Sequence, residues 1–249
     1  MPYGAEPDDL DAAARLGVEP PDFCAGDGTF NICFTGALQP KGDALMHAVL
    51  GALRLLRDPR STGHSTGQST GPSTKVSALG DRVRLRCYGT SNLTWESDRH
   101  RVMPTAREFG LSDVVSEIPA RVPYLQAMAV LRASDIVLVM GSIDPYYHAS
   151  KLYPAIVSGR PILAICPAES SIGTVMHQTG AGICVTFRDP GELEARVPEI
   201  RDAIVALASR PHGPPAAGLV ERFTACASTG TLARVLERVT GESALAEAS

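Results

Sequence analysis

The sequence predicts an α/β protein built on a doubly wound parallel sheet of about six strands. Three observations carry that reading. Short apolar runs ending in glycine or a polar turn recur along the chain, at 31–36, 83–88, 114–118, 136–140, 162–165 and 183–185. Amphipathic stretches of helical period stand between them, and strand–helix alternation is the signature of parallel pairing. The run Ile136-Val137-Leu138-Val139-Met140 is apolar at every position, as a strand buried on both faces must be.

Composition sets the outer bounds. The chain has 249 residues, enough for one large or two small domains, and a formal net charge of −4, which disfavours a general polyanion binder. Cys24, Cys33, Cys87, Cys166, Cys184 and Cys226 are scattered, without a C-x-x-C pair or a histidine at ligand spacing. They read as free thiols of a reducing compartment, and no metal site is expected. No apolar run approaches a membrane span and the N-terminus is unlike a secretory signal, so a cytoplasmic protein is the expectation.

Residues 1–29 are rich in proline and glycine around one helical patch, Asp9 to Leu16, and read as a linker or arm. Residues 30–240 form the main domain. Its first strand ends at Gly36, and a helix from Asp43 to Arg57 places Leu45, Met46, Val49, Leu50 and Leu53 on one face. Residues 61–74, STGHSTGQSTGPST, repeat Ser-Thr-Gly-X, cannot bury apolar area, and are expected to be a mobile insertion. The strand Val83–Tyr88 carries alternating arginines, Arg82, Arg84 and Arg86, which suggest an edge strand with one wet face. After a loop with Trp95 come a helix near Val102–Phe109, a strand at Val114–Ile118 and a helix from Tyr124 to Arg132. Beyond the strand 162–165, Ser170-Ser171 begin a helix that Gly180 ends, followed by the strand 183–185, a helix from Leu193 to Leu207 and a closing helical segment at 219–239. Residues 241–249 are a small polar tail.

The chemistry gathers after Met140. A polar loop, Gly141 to His148, leads to Ser150, which stands where a helix N-cap belongs, and then to Lys151 and Leu152. In an open α/β sheet ligands bind beyond the carboxyl ends of the strands, and a helix start with a lysine suits a phosphate or diphosphate. Known phosphate and nucleophile motifs are missing: no Gly-x-Gly-x-x-Gly after the first strand, no P-loop, no Gly-x-Ser-x-Gly elbow. His148 and Asp144 read as loop residues, and His47, His100 and His177 lack companions that would make them catalytic.

These residues resemble a family. Gly36-Ala37-Leu38-Gln39-Pro40-Lys41-Gly42 is similar to the turn that opens the carboxyl-terminal, donor-binding domain of group 1 glycosyltransferases of the GT-B fold. The stretch RVPYLQAMAVLRASDIVLVMGSIDPYYHASKLYPAIVSGRPILAI resembles the long central block of the same domain, and Pro2-Tyr3-Gly4-Ala5-Glu6 resembles the interdomain segment before it. The resemblance implies a Rossmann-like domain, the carboxyl-terminal half of a GT-B fold, that binds a nucleoside-diphosphate sugar for glycosyl transfer. It implies no cofactor beyond that co-substrate; the net charge of −4 and the lack of a basic stripe already argue against a nucleic-acid partner. Carried over by position, Gly36 and Lys41 approach the diphosphate, and the loop with Arg121 and Val122 meets the base. Gly141, Ser142, Tyr147, Ser150, Lys151 and Leu152 surround sugar and phosphates.

Departures are visible too. Ala37 stands at the family's phosphate-binding arginine, the loop is one residue shorter, and Pro154 replaces a glutamate that often binds ribose. The chain begins at the linker, which reads as a separate subunit, a truncated frame or a degraded gene product needing an amino-terminal acceptor-binding partner. No residue is assigned a catalytic role. Two other readings stay open: an inactive remnant acting as a protein-interaction domain, and a different nucleotide-using enzyme such as a sugar-nucleotide epimerase.

Overall fold

The computed structural model describes residues 4–38, 42–58, 74–95, 99–143, 147–209 and 221–240. Six parallel strands lie in the order β3-β2-β1-β4-β5-β6, with β1 Phe30–Thr35, β2 Val83–Leu93, β3 Val115–Ala120, β4 Ile136–Met140, β5 Ile162–Pro167 and β6 Gly182–Phe187. The chain starts mid-sheet, steps outward to β3, then crosses back to lay β4 on the other side of β1. The helices are α1 Pro7–Arg15, α2 Asp43–Arg57, α3 Thr74–Arg82, α4 Met103–Glu108, α5 Tyr124–Ala133, α6 Leu152–Val157, α7 Ser171–Thr179, α8 Leu193–Ala208 and α9 Ala225–Thr240.

Strand alternation divides the core. Ile32, Phe34, Leu138, Met140, Leu163 and Ile165 point to the face covered by α2 and α8, where they meet Leu45, Leu53, Ile200 and Ile204. Val137, Val139, Ile162, Ala164 and Cys166 point to the opposite face, under α1, α5, α6 and α7. The continuous apolar pattern of β4 follows from this, since each residue has a hydrophobic neighbour whichever way it points. Burial pushes the Cys33 thiol up to about 12 and the Cys87 thiol upward as well, as expected of inert core cysteines. The helix at 171–179 has the ends its sequence announces: the Ser170 hydroxyl accepts from the Ile172 N–H at 3.2 Å, and Gly180 closes it at φ +61°.

The sequence reading of β2 is corrected. β2 is internal, between β1 and β3. Arg84 donates to the Asp81 and Val83 carbonyls at 3.1 and 2.8 Å, and Arg86 is accommodated by the segment that precedes β1. Arg86 donates to Asn31 Oδ1 at 2.7 Å, pairs with Asp22 at 3.1 Å, and lies 4.8 Å over the Phe23 ring. Asp22 also accepts from Tyr88 at 2.5 Å and from Ser116 at 3.0 Å. The segment before β1 thus covers Arg86, Tyr88 and Ser116, and burial, with the Asp22 contact second, pushes the Tyr88 hydroxyl upward.

Further differences are local. A helix, α3, begins at Thr74, where the sequence suggested only the end of an insertion; the rest of that repeat lies outside the described residues. β2 continues past Gly89 to Leu93 with a shift of register. Near the start of the chain, α1 packs on α5, and Ala5 bridges Thr224 in parallel, with 2.9 Å bonds to Phe223 O and from Ala225 N. α9 leaves Leu232, Val235, Leu236 and Val239 exposed along one stripe. Among the described residues, no helix is long and apolar enough to cross a membrane, and no group of side chains could hold a metal ion.

Candidate functional site

Because all six strands are parallel, their carboxyl ends share one rim, and the chain reverses its winding there between β1 and β4. Gly36 follows β1 at φ +109°, a backbone angle that suits glycine. Its N–H donates to Tyr88 O at 2.7 Å, and the Leu38 N–H to Thr90 O at 3.1 Å, so this turn runs beside the extension of β2. A β-carbon on Gly89 would lie 3.6 Å from the Gly36 Cα and 3.7 Å from the Arg121 Cα. Gly89, within β2, thus lies close to both the turn after β1 and the loop after β3, with no room to spare for a larger side chain than alanine's. Across the switch point Gly141 follows β4, donating to Ile165 O at 2.8 Å, with a β-carbon there falling 3.0 Å from the Cys166 Cβ.

Lys151 joins the two sides. It arrives on the β4–α6 connection, and its ammonium reaches back over β1 to lie 4.4 Å above the Phe34 ring. A β-carbon on Gly36 would stand 3.1 Å from that nitrogen. The side chain is half-buried, and among the described residues no carboxylate forms an ion pair with it. Desolvation lowers its pKa to about 8, which still leaves it largely charged at neutral pH. A partly desolvated ammonium that pairs with no carboxylate among the described residues, beside a glycine turn, favours a negative charge next to it.

A second set of residues holds the turn. Glu117 of β3 has a fully buried carboxylate that accepts the backbone N–H groups of Arg101 at 2.8 Å, Val102 at 3.0 Å and Met103 at 3.0 Å. It also accepts from the Thr90 hydroxyl and meets His100 Nδ1 at 3.3 Å. Arg101, so anchored, donates through Nη1 to the Leu38 carbonyl and through Nη2 to both oxygens of Asp43 at 2.8 and 3.0 Å.

No family model matches the chain, and no curated protein matches it by sequence. Solved structures do. An α,α-trehalose-phosphate synthase (UDP-forming) from Burkholderia vietnamiensis matches with a TM-score of 0.64 at 14% identity, over 95% of this chain and 50% of that one. A glycosyltransferase from Rickettsia africae ESF-5 gives 0.56 at 11% identity, over 97% and 57% of the two chains. The pneumococcal O-GlcNAc transferase GtfA, in complex with UDP and GlcNAc, gives 0.52 at 12%, over 90% and 39%. The fold is half of a GT-B fold. This chain spans about half the length of the structures it matches.

In this GT-B half the residues singled out from the sequence are distributed as follows. Gly36 and Lys151 meet, and Arg121 and Gly141 stand on the same rim. Lys41 lies outside the described residues, as do Asp144 and Tyr146. Ser142 is buried, Tyr147 is half-buried against the second core cluster, and Val122 packs near Phe23 and Tyr88. His148 is exposed, 2.9 Å from the Ser171 hydroxyl.

The helix start differs from expectation. α6 begins at Leu152 with Lys151 as the residue before it, no side chain caps it, and Ser150 is exposed. The Leu152 N–H donates to Ala149 O at 3.0 Å and its side chain lies in the core. A helix of six residues sums few peptide dipoles, so the positive charge here is the ammonium itself. Sequence reasoning missed Arg101 and Glu117. One signal existed: a lone glutamate in an apolar strand run, a residue seldom buried without partners.

Proposed function

We propose that the chain is the donor-binding half of a GT-B glycosyltransferase and binds a nucleoside-diphosphate sugar. The observation that carries this is the Lys151 ammonium, unpaired with any described carboxylate, set against Gly36 at the switch point of the sheet. Charge grows on the diphosphate as the glycosyl bond breaks, and a preorganised, partly desolvated cation stabilises it there. Gly36 faces the diphosphate; the family resemblance adds Lys41, which lies outside the described residues. The backbone at Arg121 and Val122 meets the base, and Gly141, Ser142, Tyr147 and Ser150 border the sugar and phosphates, whereas Leu152, with its side chain in the core and its N–H bonded to Ala149 O, is left out. Two matched structures support the ligand class, since their names refer to UDP. Transfer itself requires an acceptor oriented against the donor carbon, which an amino-terminal acceptor-binding half or subunit supplies.

Titration calorimetry with UDP, GDP and ADP in the absence of magnesium tests the reading. One of them binds with a dissociation constant of about 0.1–1 mM. No heat from any at millimolar concentration overturns it.

A second reading, an inactive remnant serving as a protein-interaction domain, draws on one observation, the exposed stripe Leu232, Val235, Leu236 and Val239 of α9. It requires self-association or partner capture that Leu236→Asp abolishes, together with silence in the nucleotide titration.

A further inference from the structure

We propose that Cys166 and Cys184 form a redox-sensing dithiol, which hydrogen peroxide closes to a disulfide that displaces the backbone at Gly141.

The two thiols come from neighbouring strands, β5 and the edge strand β6, and their sulfur atoms lie 3.5 Å apart, in hydrogen-bond contact. Their settings differ. Cys166 is fully buried beside the start of α7. Its hydrogen bond from Cys184, helped by the Ser170 hydroxyl and the Gly173 N–H, holds its thiol below the ordinary range against the opposing effect of burial. Cys184 is half-buried, and its bond to Cys166, with burial second, pushes its thiol upward.

A thiolate that accepts from a neighbouring thiol is a base set against a nucleophile. As the Cys184 sulfur attacks one oxygen of the peroxide, its proton passes to Cys166, the O–O bond breaks, and hydroxide leaves to become water. Cys184 is then a sulfenic acid. Cys166 attacks the Cys184 sulfur, the S–O bond breaks, and the Cys166 proton departs with that oxygen as a second water. Two thiols are oxidised to one disulfide, and one peroxide is reduced to two waters.

The register makes this disulfide a reversible one. Cys184 stands opposite Ala164 and Cys166 opposite Thr186, so the pair is diagonal. Diagonal neighbours on adjacent strands are about 7–8 Å apart at Cα, beyond the span of about 4.4–6.8 Å of most disulfides. Closure therefore moves β5 against β6, and a bond formed under that constraint is readily reduced. Cys166 also backs the rim. A β-carbon on Gly141 would fall 3.0 Å from the Cys166 Cβ and 3.2 Å from its Cα, and the Gly141 N–H donates to the Ile165 carbonyl. A shift of Cys166 is thus passed to Gly141, whatever ligand the rim takes.

The experiment treats the reduced full chain with hydrogen peroxide, alkylates the remaining thiols and digests the product with trypsin. Both cysteines fall in the segment between Arg160 and Arg188, and cleavage after Glu169 separates them. Halves that stay joined until dithiothreitol is added identify the disulfide. In wild type the pair oxidises about tenfold faster than the buried Cys33 and Cys87. Cys166→Ser stops, more slowly, at a Cys184 sulfenic acid that dimedone traps, and Cys184→Ser leaves Cys166 reduced. In protein labelled at glycine, the Gly141 amide resonance moves on oxidation of wild type and stays in place in Cys184→Ser. Oxidation of wild type confined to the exposed Cys24 and Cys226 overturns the proposal, as does a Cys166 that oxidises without Cys184. A disulfide that leaves the Gly141 resonance unmoved overturns the link to the rim.

Discussion

Replacing Lys151 with methionine stabilises the unliganded protein and removes its diphosphate binding. Methionine has similar length and no charge, and its sulfur takes the place of the ammonium over Phe34. Desolvation moves the lysine from its ordinary 10.5 to about 8, which corresponds to about 3 kcal/mol against the charged form at 1.36 kcal/mol per pH unit. Partial exposure reduces this, and the lost cation–ring contact takes back about 0.5–1 kcal/mol, leaving a net gain of about 1–2 kcal/mol at pH 7. For a chain of this size that is about 3–6 °C in melting temperature.

The pH dependence identifies the cause. At pH 7 the amine is protonated in both folded and unfolded chains, so wild type bears the whole penalty. Between pH 8 and 10.5 the folded amine is neutral while the unfolded one still holds a proton, so wild-type stability rises relative to the variant. The gap is widest below pH 8 and closes toward 10.5. Urea unfolding of both proteins at pH 7 and 9.5 measures it. A variant less stable than wild type at pH 7, or a gap that does not shrink with pH, refutes the reasoning. In calorimetry the variant loses 10- to 100-fold in diphosphate affinity. Wild type at pH 9 takes up a proton on binding, visible as a dependence of the heat on buffer ionisation, because a bound anion restores the ammonium.

Gly36→Ala costs about 1–2 kcal/mol in urea unfolding, since φ +109° is strained for any residue with a β-carbon, and it weakens diphosphate binding because that carbon meets the Lys151 nitrogen at 3.1 Å. Wild-type stability in that variant would show that the turn relaxes freely. Glu117→Ala removes the acceptor of three backbone N–H groups and the Thr90 hydroxyl and costs about 3–5 kcal/mol, read by the same unfolding curve. Glu117→Gln, which keeps one oxygen, loses less than the alanine variant.

How far the sequence was legible follows the range of each interaction. The spans of α2 and β4 read true to the residue because they rest on local signals, a 3.6-residue apolar period and an unbroken apolar run. α7 was legible from its two ends, a serine cap and a left-handed glycine. The start of α6 was misread, because Ser150 has the right chemistry for a cap but is left exposed, with the helix opening at Leu152. The arginines of β2 misled for a different reason. An alternating charge normally seeks water, but here Asp22, 64 residues away in sequence, brings the arm over Arg86.

By itself, then, the sequence determined that strands and helices alternate, that parallel pairing follows, and that a glycine turn and a lysine mark one rim. Only the tertiary structure decided that β1 is central, that Lys151 crosses to Gly36, and that Glu117 and Arg101 grip the first turn. Local periods and caps are written by neighbouring residues, whereas the partner of a buried or half-buried charge is chosen by where distant elements dock, and that choice leaves no spacing in the chain to read.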